Sequence, residues 1–212
     1  LIGKEKFRAG MDRYFELYDG MAVTTEEFVH AMEIASDVDL SQFRRWYSQN
    51  GTPHIKVRYE YKEEVNELVL HVDQSCHPMV SHGEMRPFHF PLQVGLVSLD
   101  GSGDLEIECE EGRKEERDIV LDIKKAHETF TFKGVSKEPI PSVNRTFSAP
   151  ITVEMPFHRH DYLHLMRHDS DAYNCYEAGQ ELATQLMLEQ VDLYLEGESL
   201  EVDTSYLGTV GE

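Results

Sequence analysis

Two hydrophobic periods divide the chain, with helical spacing at both ends and strict alternation in the middle. Apolar residues near the start recur every three or four positions and predict a first helix that ends at Asp19-Gly20. Its stripe consists of Phe7, Met11, Tyr14 and Tyr18. Thr24 and Glu27 form a capping box at the start of a second helix, whose buried stripe is Phe28, Met32 and Ala35.

The stretch from Asp39 to Pro53 predicts a third helix at a junction between modules. Asp39 can cap it, Gln42 stands where a capping box needs it, and Gly51 and Pro53 stop it. The apolar stripe is Leu40, Phe43, Trp46 and Tyr47. Three short helices cannot close a core alone, so their apolar faces need a partner.

From Thr52 the apolar period changes to two, which predicts seven short strands and a β-sandwich of immunoglobulin-like size. The predicted inward positions are Ile55, Val57, Tyr59 and Tyr61; Leu68, Leu70 and Val72; Phe88, Phe90, Leu92, Val94 and Leu96; Leu105, Ile107 and Cys109; Ile119, Leu121 and Ile123; Phe130 and Phe132; and Phe147, Ala149, Ile151, Val153 and Met155. Polar loops are predicted at Gln74 to Arg86 and Glu110 to Arg117. Pro91 favours an edge or bulged position for its strand.

Helical spacing returns after Pro156. It predicts a short element around Asp161 to His168 and a longer helix from Ala172 to about Leu195, capped by Ser170 or Asp171. One face of the longer helix carries Tyr176, Ala183, Met187 and Val191, widened by Leu182 and Leu186. The segment from Glu196 to Glu212 reads as a polar tail. The fold class is therefore mixed α+β, with a central sandwich between helical ends.

The composition of the chain limits the classes of partner and the cellular location that we expect for it. Forty acidic and twenty basic residues give a net charge of −20, which argues against binding nucleic acid through its phosphates or docking on an anionic membrane. No apolar run approaches the roughly 18 residues of a membrane span, and the start lacks the apolar core of a signal peptide. Three widely spaced cysteines, Cys76, Cys109 and Cys175, favour a reducing compartment, so we expect a cytoplasmic location.

Histidines supply the candidate metal chemistry. His127-Glu128 invites comparison with the zinc-peptidase motif H-E-x-x-H, but the fifth position is Thr131 and the alternating stretch indicates a strand, whose residues point to opposite faces. A second group, His158, His160, His164 and His168, is denser than chance, and its last three members have helical spacing. A zinc or nickel site is conceivable there, although no carboxylate or cysteine clearly converges on it.

No motif nominates a catalytic residue. The chain has no G-x-S-x-G, no phosphate-binding loop and no G-x-G-x-x-G, and Gly101-Ser102-Gly103 reads as a hairpin turn. We therefore assign no catalytic, cofactor-binding or metal-ligating residue.

Three stretches together carry a family resemblance: YDGMAVTTEEFVHAMEIASDVDLSQFRRWYSQNGTP (residues 18–53), PIPSVNRTFSAPI (139–151) and LMRHDSDAYNCYEAGQELA (165–183). In order and spacing they resemble the bacterial aminopeptidase N family, zinc metallo-aminopeptidases of the gluzincin class. The similarity covers almost the whole chain but only an internal segment of such an enzyme. One departure is Cys175-Tyr176, where the family usually has an Arg-Trp pair.

The resemblance implies three domains: residues 1–50 as the last helices of the catalytic domain, 51–157 as a β-sandwich linker, and 158–212 as the start of a C-terminal helical domain. The family's G-x-M-E-N and H-E-x-x-H motifs, its third zinc ligand and its transition-state tyrosine have no match here. By resemblance, zinc and peptide substrates belong to the parent enzyme, and this segment is expected to be an inactive linker that contacts the parent's other domains.

Two alternatives stay open. One is a free-standing acidic β-sandwich module that binds a protein or a metal ion, and another is a metal sensor built on the His158 to His168 group. Because the chain opens in mid-pattern and its helical faces lack partners, we expect a piece of a longer protein and some self-association of that piece.

Overall fold

The computed structural model describes residues 1–76, 86–200 and 202–210. Within them lie six α-helices: α1 (Lys4–Tyr18), α2 (Thr25–Ser36), α3 (Arg45–Ser48), α4 (Arg159–His168), α5 (Ala172–Glu196) and α6 (Thr204–Val210). The strands of the same residues are β1 (Pro53–Lys62), β2 (Glu67–Cys76), β3 (Phe90–Ser98), β4 (Gly112–Glu115), β5 (Asp118–Ile123), β6 (His127–Lys133), β7 (Pro139–Val143) and β8 (Thr152–Glu154). Short 3₁₀ turns occupy Glu63–Val65 and Arg145–Phe147. The predicted mixed α+β class is confirmed.

Two four-stranded sheets form the sandwich, in the orders β6-β2-β1-β8 and β4-β5-β3-β7. Strands β1 and β2 make a long antiparallel hairpin, whereas β8 returns to pair with β1 in parallel. Alternate residues of both sheets point into one shared core, because the side-chain period of a strand is two. The predicted inward positions of β1, β2, β3, β5 and β6 lie in this core or pack against it.

The predicted strand through Leu105, Ile107 and Cys109 is wrong. The segment meets the sheets only through isolated bridges, of which one joins Glu108 to Lys133 by a pair of backbone hydrogen bonds. Its alternate side chains, Leu105, Ile107 and Cys109, are nevertheless buried. The segment therefore has the apolar alternation of a strand, although it lacks the continuous backbone hydrogen bonds of one. Instead, β4 comes from the charged stretch predicted as a loop.

The sequence pattern also missed β7 and misplaced the strand after it. Pro139 and Pro141 concealed β7, which is the terminal strand of its sheet and therefore tolerates proline. The strand predicted from Phe147 begins only at Thr152. Pro91 belongs to the interior strand β3, but it lies before Val94, where pairing with β7 starts, so it faces a ladder on one side only.

The N-terminal helices dock on the sandwich through α3 and the turn before it. The capping box of Thr24 and Glu27 is present at α2 as predicted. The one predicted at Asp39 is wrong, because α3 is only four residues long and the Gln42 side chain is used elsewhere. Gln42 Nε2 donates to the carbonyl oxygens of Pro87 at 3.1 Å and Lys124 at 2.6 Å. The Trp46 ring packs on Phe88 with centroids 4.6 Å apart.

At the other end, α4 and α5 pack against each other and against β7. Asp171 caps α5 as predicted, accepting from the Asn174 amide at 2.9 Å. The buried face of α5 contains Ala178 and Leu182, whereas the predicted stripe at Met187 is 62% exposed. The predicted polar tail contains α6.

None of the helices in the described ranges combines the length and the hydropathy of a membrane span. Part of the predicted loop Gln74 to Arg86 belongs to β2, and its residues 77–85 lie outside the described ones.

We predict an acid-sensitive contribution from Asp122 beside the docking turn. Burial raises the pKa of this carboxyl, but hydrogen bonds from His89 at 2.5 Å and Lys124 at 2.6 Å outweigh burial and lower the pKa to about 2. A carboxyl with a depressed pKa stabilises the fold above its unfolded pKa and loses that effect as the pH falls. Allowing for its half-exposed side chain, we expect about 1 kcal/mol to be lost between about pH 4 and pH 2.

The measurement is urea unfolding followed by the fluorescence of Trp46, the only tryptophan. Asp122→Asn should be less stable than the wild type at pH 6, and the difference should vanish near pH 2. Asp12→Asn, which removes an exposed carboxylate paired with Arg8, is the matched control. Equal pH slopes for the wild type and Asp122→Asn would contradict the assignment.

Candidate functional site

A buried arginine lies where the sandwich meets the C-terminal helices. Arg145 follows β7 directly, and its side chain is only 2% exposed. The turn that carries it is tight, because Asn144, Thr146 and Phe147 all have left-handed backbone angles, with φ of 63°, 55° and 53°. The Asn144 side chain holds the turn by bonding both the N–H and the C=O of Ala149. Such angles are costly for residues other than glycine, so the surrounding contacts must enforce them.

The guanidinium of Arg145 bonds three carboxylates from three separate segments. It donates to Asp104 at 2.9 and 3.0 Å, to Asp118 at 2.7 Å and to Asp169 at 2.8 Å. Its Nε donates to the hydroxyl of Ser142 on β7 at 2.8 Å. Asp118 begins β5, Asp104 follows β3, and Asp169 lies between α4 and α5. One side chain therefore ties the sandwich to the helices.

Burial and ion pairing act in opposite directions on the pKa values of Arg145, Asp104 and Asp169. Burial disfavours the charge of Arg145, but the hydrogen bonds with Asp104 and the charges of Asp169 and Asp118 more than offset burial, so the arginine pKa is raised. Burial likewise opposes ionisation of Asp104, yet hydrogen bonds from Arg145 and Ser170 hold its pKa below the usual range. Only at Asp169 does burial prevail and raise the pKa, against the opposing effects of Arg145 and Ser142. Removing the arginine would therefore leave buried carboxylates without a cation.

Further donors satisfy the remaining oxygens. Ser142 donates to Asp169 at 2.5 Å and accepts from Asn174 Nδ2 of α5 at 2.7 Å. The amide of Asp171 donates to Asp169 at 2.9 Å. On the sandwich side, Gln93 Nε2 donates to Asp118 at 2.7 Å. A buried polar network of this kind rigidifies its surroundings when its members are all paired.

Gly95 of β3 makes room for the guanidinium. A Cβ atom at this position would lie 2.2 Å from Arg145 Cζ and 2.3 Å from its Nη1, far inside van der Waals contact. The cluster therefore needs both the long cation on the turn and a bare backbone on the strand beside it. Chemically the arrangement positions and neutralises charges, and it presents no paired nucleophile and base.

The four histidines at α4 do not converge on one point. His158 precedes the helix and its amide donates to Asp161 at 2.8 Å. His160 faces Asp161 at 3.3 Å, whereas His164 Nε2 lies 2.9 Å from the carbonyl oxygen of Ser98. The rings of His164 and His168 lie 4.6 Å apart, and burial with the neighbouring His164 and Arg167 lowers the pKa of His168. Among the described residues, no three His, Cys, Asp or Glu side chains are grouped so as to hold a metal ion.

The other sequence candidates have structural roles. His127 and Glu128 lie on β6, as the alternating pattern predicts: His127 Nδ1 contacts Asp73 at 2.7 Å, and Glu128 accepts from the amides of Lys124 and Lys125. Gly101-Ser102-Gly103 forms the turn after β3, where the Ser102 amide donates to Asp100 at 2.9 Å.

At the departure from the family pattern, Cys175 Sγ lies 3.1 Å from the carbonyl oxygen of Asp169, and Tyr176 is 61% exposed.

The sequence patterns did not predict the Arg145 cluster. The available indication was an arginine inside the apolar stretch PIPSVNRTFSAPI.

Comparison with known proteins assigns the chain to a family. Residues 51–156, half of the chain, match a family model described as a domain of unknown function (DUF3458) with an Ig-like fold. The chain belongs to the DUF3458 family. Residues 159–212 match the companion model, DUF3458_C, described as ARM repeats. The immunoglobulin-like character predicted for the sandwich is thereby confirmed, and Arg145 lies in the DUF3458 part while Asp169 lies in the ARM-repeat part.

Curated relatives of this DUF3458 chain carry the name Aminopeptidase N. The Escherichia coli protein is 35% identical over 200 residues, covering 94% of this chain and 22% of the relative. The Haemophilus influenzae protein is 34% identical over 207 residues, covering 98% and 23%. A crystal structure of Legionella pneumophila aminopeptidase A in complex with aspartic acid superposes with a TM-score of 0.80 at 26% identity, covering 99% of this chain and 22% of that one.

The chain thus spans about a fifth of the length of the relatives that it matches. The resemblance to aminopeptidase N is confirmed as a match to a segment of such proteins.

We predict that Arg145→Met lowers the free energy of unfolding by about 3–5 kcal/mol, because it leaves Asp104, Asp118 and Asp169 buried without their cation. The deficit should shrink as the pH falls toward about 4, since unpaired buried carboxyls take up protons readily. Urea unfolding followed by circular dichroism measures both effects. Arg113→Met is the control, because Arg113 makes an exposed pair with Glu115 and should contribute less than about 1 kcal/mol. Equal losses for the two variants would contradict the role given to Arg145.

Proposed function

We propose that this chain is the structural linker segment of a zinc-dependent aminopeptidase that removes N-terminal amino acids from peptides. Its sandwich would hold the enzyme's catalytic domain on one side and its helical domain on the other, at a fixed angle. The names of the relatives support the enzyme class, and the share of their length that the chain covers supports a role as one part of a larger protein.

The Arg145 network is the observation that carries the linker role. It places a charged group of the sandwich within 2.8 Å of Asp169, which connects α4 to α5. Since a buried ion pair loses its favourable geometry when its partners shift, rotation of the helices about the sandwich would leave charges unpaired. The packing of Leu165 and Ala178 against Val97 and Ile140 adds an apolar contact across the same boundary.

The residues that the structure describes do not form a zinc-ligand set. Zinc needs three or four converging His, Cys, Asp or Glu side chains, and the described residues do not provide such a group. The proposal therefore assigns no zinc ligand and no hydrolytic step to this chain. It assigns the metal and the reaction to the parent enzyme.

We further propose a cytoplasmic location for the parent. Cys76, Cys109 and Cys175 are all free thiols, and burial raises the pKa of each. Thiols with raised pKa values are less reactive and persist in a reducing compartment.

We expect the isolated chain to keep the sandwich and helices in one orientation and to lack peptidase activity. Residual dipolar couplings of the backbone amides should fit one alignment tensor for the sandwich and for α4 and α5, and Arg145→Met should require two. Arg113→Met should still need one. With added zinc, the chain should not hydrolyse an aminoacyl anilide. A single tensor in folded Arg145→Met would overturn the linker role, and zinc-dependent turnover by the chain alone would overturn its inactivity.

We also expect the isolated chain to self-associate. The α5 helix exposes several large apolar side chains, most of them in its C-terminal half, and soluble monomers rarely leave such a patch uncovered. These residues are Tyr176, Met187, Leu188, Val191, Tyr194 and Leu195. Sedimentation equilibrium should show association that weakens in Met187→Gln/Val191→Gln but not in Glu63→Gln/Glu64→Gln, whose sites lie on the 3₁₀ turn between β1 and β2. A monomer at high concentration would contradict this expectation.

A further inference from the structure

An elongated groove separates the end of the sandwich from the C-terminal helices. It encloses about 480 Å³ between β7 and β8 on one side and α4 and α5 on the other. Its α5 wall runs from Tyr173 to Gln185, a rise of about 18 Å at 1.5 Å per residue. That length matches about five residues of extended chain at about 3.3 Å each. The shape therefore suits an extended segment better than a compact small molecule.

The charge of the groove has one sign. Its lining includes the carboxylates of Glu154, Glu177 and Glu181, and none of the described residues that line it is a lysine, arginine or histidine. Lys56 partly neutralises Glu154 at 2.6 Å, whereas Glu177 and Glu181 lie one helical turn apart on the exposed face of α5. The α5 wall therefore attracts cationic side chains. This wall repels the acidic surface of a second copy of the chain, whose net charge is −20, whereas the self-association expected above involves the exposed apolar side chains of α5.

The floor of the groove is apolar and aromatic. Val153, Met155 and Phe157 line it from the sandwich side, and Tyr162 faces them from α4. The rings of Phe157 and Tyr162 meet edge to face with centroids 5.6 Å apart. Such a floor accepts aliphatic side chains, and its aromatic faces also attract cations.

The sandwich wall of the groove includes a sheet edge. Strand β8 is the terminal strand of its sheet within the described part of the chain, and only β1 pairs with it there. The three residues of β8, Thr152–Glu154, all line the groove. A terminal strand offers backbone donors and acceptors to another extended segment, which adds to the sheet by hydrogen bonding.

We propose that this groove binds an extended segment of a partner protein in which basic and aliphatic residues alternate. Its backbone pairs with β8, its lysine or arginine side chains approach Glu177 and Glu181, and its aliphatic side chains cover Val153 and Phe157. Because successive side chains of a strand point to opposite sides, an alternating sequence meets both walls at once. The proposal is independent of the linker role and of the parent's activity.

Calorimetric titration of the full 212-residue chain tests the proposal. The probe is the acetylated, amidated pentapeptide Lys-Val-Lys-Val-Lys, and its counterpart is Glu-Val-Glu-Val-Glu. We expect the lysine peptide to bind, to shift the amide resonances of residues 152–155 and 173–185, and to lose affinity about tenfold in Glu177→Gln/Glu181→Gln. The control is Glu63→Gln/Glu64→Gln, which changes the net charge equally at exposed positions outside the groove.

A lysine peptide with alternate backbone amides methylated separates backbone pairing from charge attraction alone, and we expect its affinity to fall about tenfold or more. Three results would overturn the proposal: equal loss in the control variant, unchanged affinity of the methylated peptide, or no binding by the lysine peptide. A dimer of the chain that protects the groove resonances would also overturn it, since a second copy would then be the occupant.

Discussion

The arrangement of the sandwich and the C-terminal helices depends on one guanidinium that neutralises three carboxylates, one fully buried and two largely buried. Asp104, Asp118 and Asp169 come from three separate segments. Pairing with β3 brings Asp104 and Asp118 to the same sheet, and Arg145 joins both to Asp169 of the helical part. Each carboxylate would repel the others if the cation moved, so the network tolerates few geometries. The turn at residues 144–147, with its left-handed backbone angles, holds the guanidinium in place. Asp171, which caps the start of α5, lies two residues after Asp169.

A second junction joins the N-terminal helices to the sandwich. Here side chains of the helical part bond backbone carbonyls of the sandwich: the Gln42 amide bonds two of them, and Trp46 Nε1 donates to the carbonyl oxygen of His89 at 2.8 Å. The indole also covers Phe88 at the edge of the core. The two junctions thus use different chemistry: a guanidinium paired with carboxylates at the C-terminal junction, and side-chain bonds to carbonyls with aromatic packing at the N-terminal one.

Much of the fold was predictable because burial leaves a local periodic trace. The alternation of Leu68, Leu70 and Val72 could only mean a half-buried strand, and the capping box at Thr24 marked α2 correctly. The errors have physical reasons. Residues 105–109 bury alternate side chains without a ladder, while β7 carries two prolines that only its terminal position permits. Gln42 shows a third reason, since its tertiary hydrogen bonds replaced the local capping role that its spacing predicted.

The candidate site was not predictable from local spacing. Histidines on one helix attract notice because their separation of four residues is visible in the sequence. In the structure, however, His160 lies beside Asp161, whereas His164 contacts the carbonyl oxygen of Ser98 and the ring of His168. The partners of Arg145 lie 41, 27 and 24 residues away along the chain, so no window of sequence contains them together. The sequence contained one unusual feature, the charged Arg145 within an otherwise largely apolar stretch. Because the surrounding residues are buried, this charge needs carboxylate partners, and the structure shows that it has three.

Gly95 gives this network an evolutionary signature. Because any side chain on that strand position would occupy the volume of the guanidinium, the two sites cannot drift separately: a larger residue at 95 demands a shorter one at 145, and a shorter one at 145 opens a void beside 95. Homologous chains should therefore change these two positions jointly or keep both, and a family tree would record each exchange as a paired event.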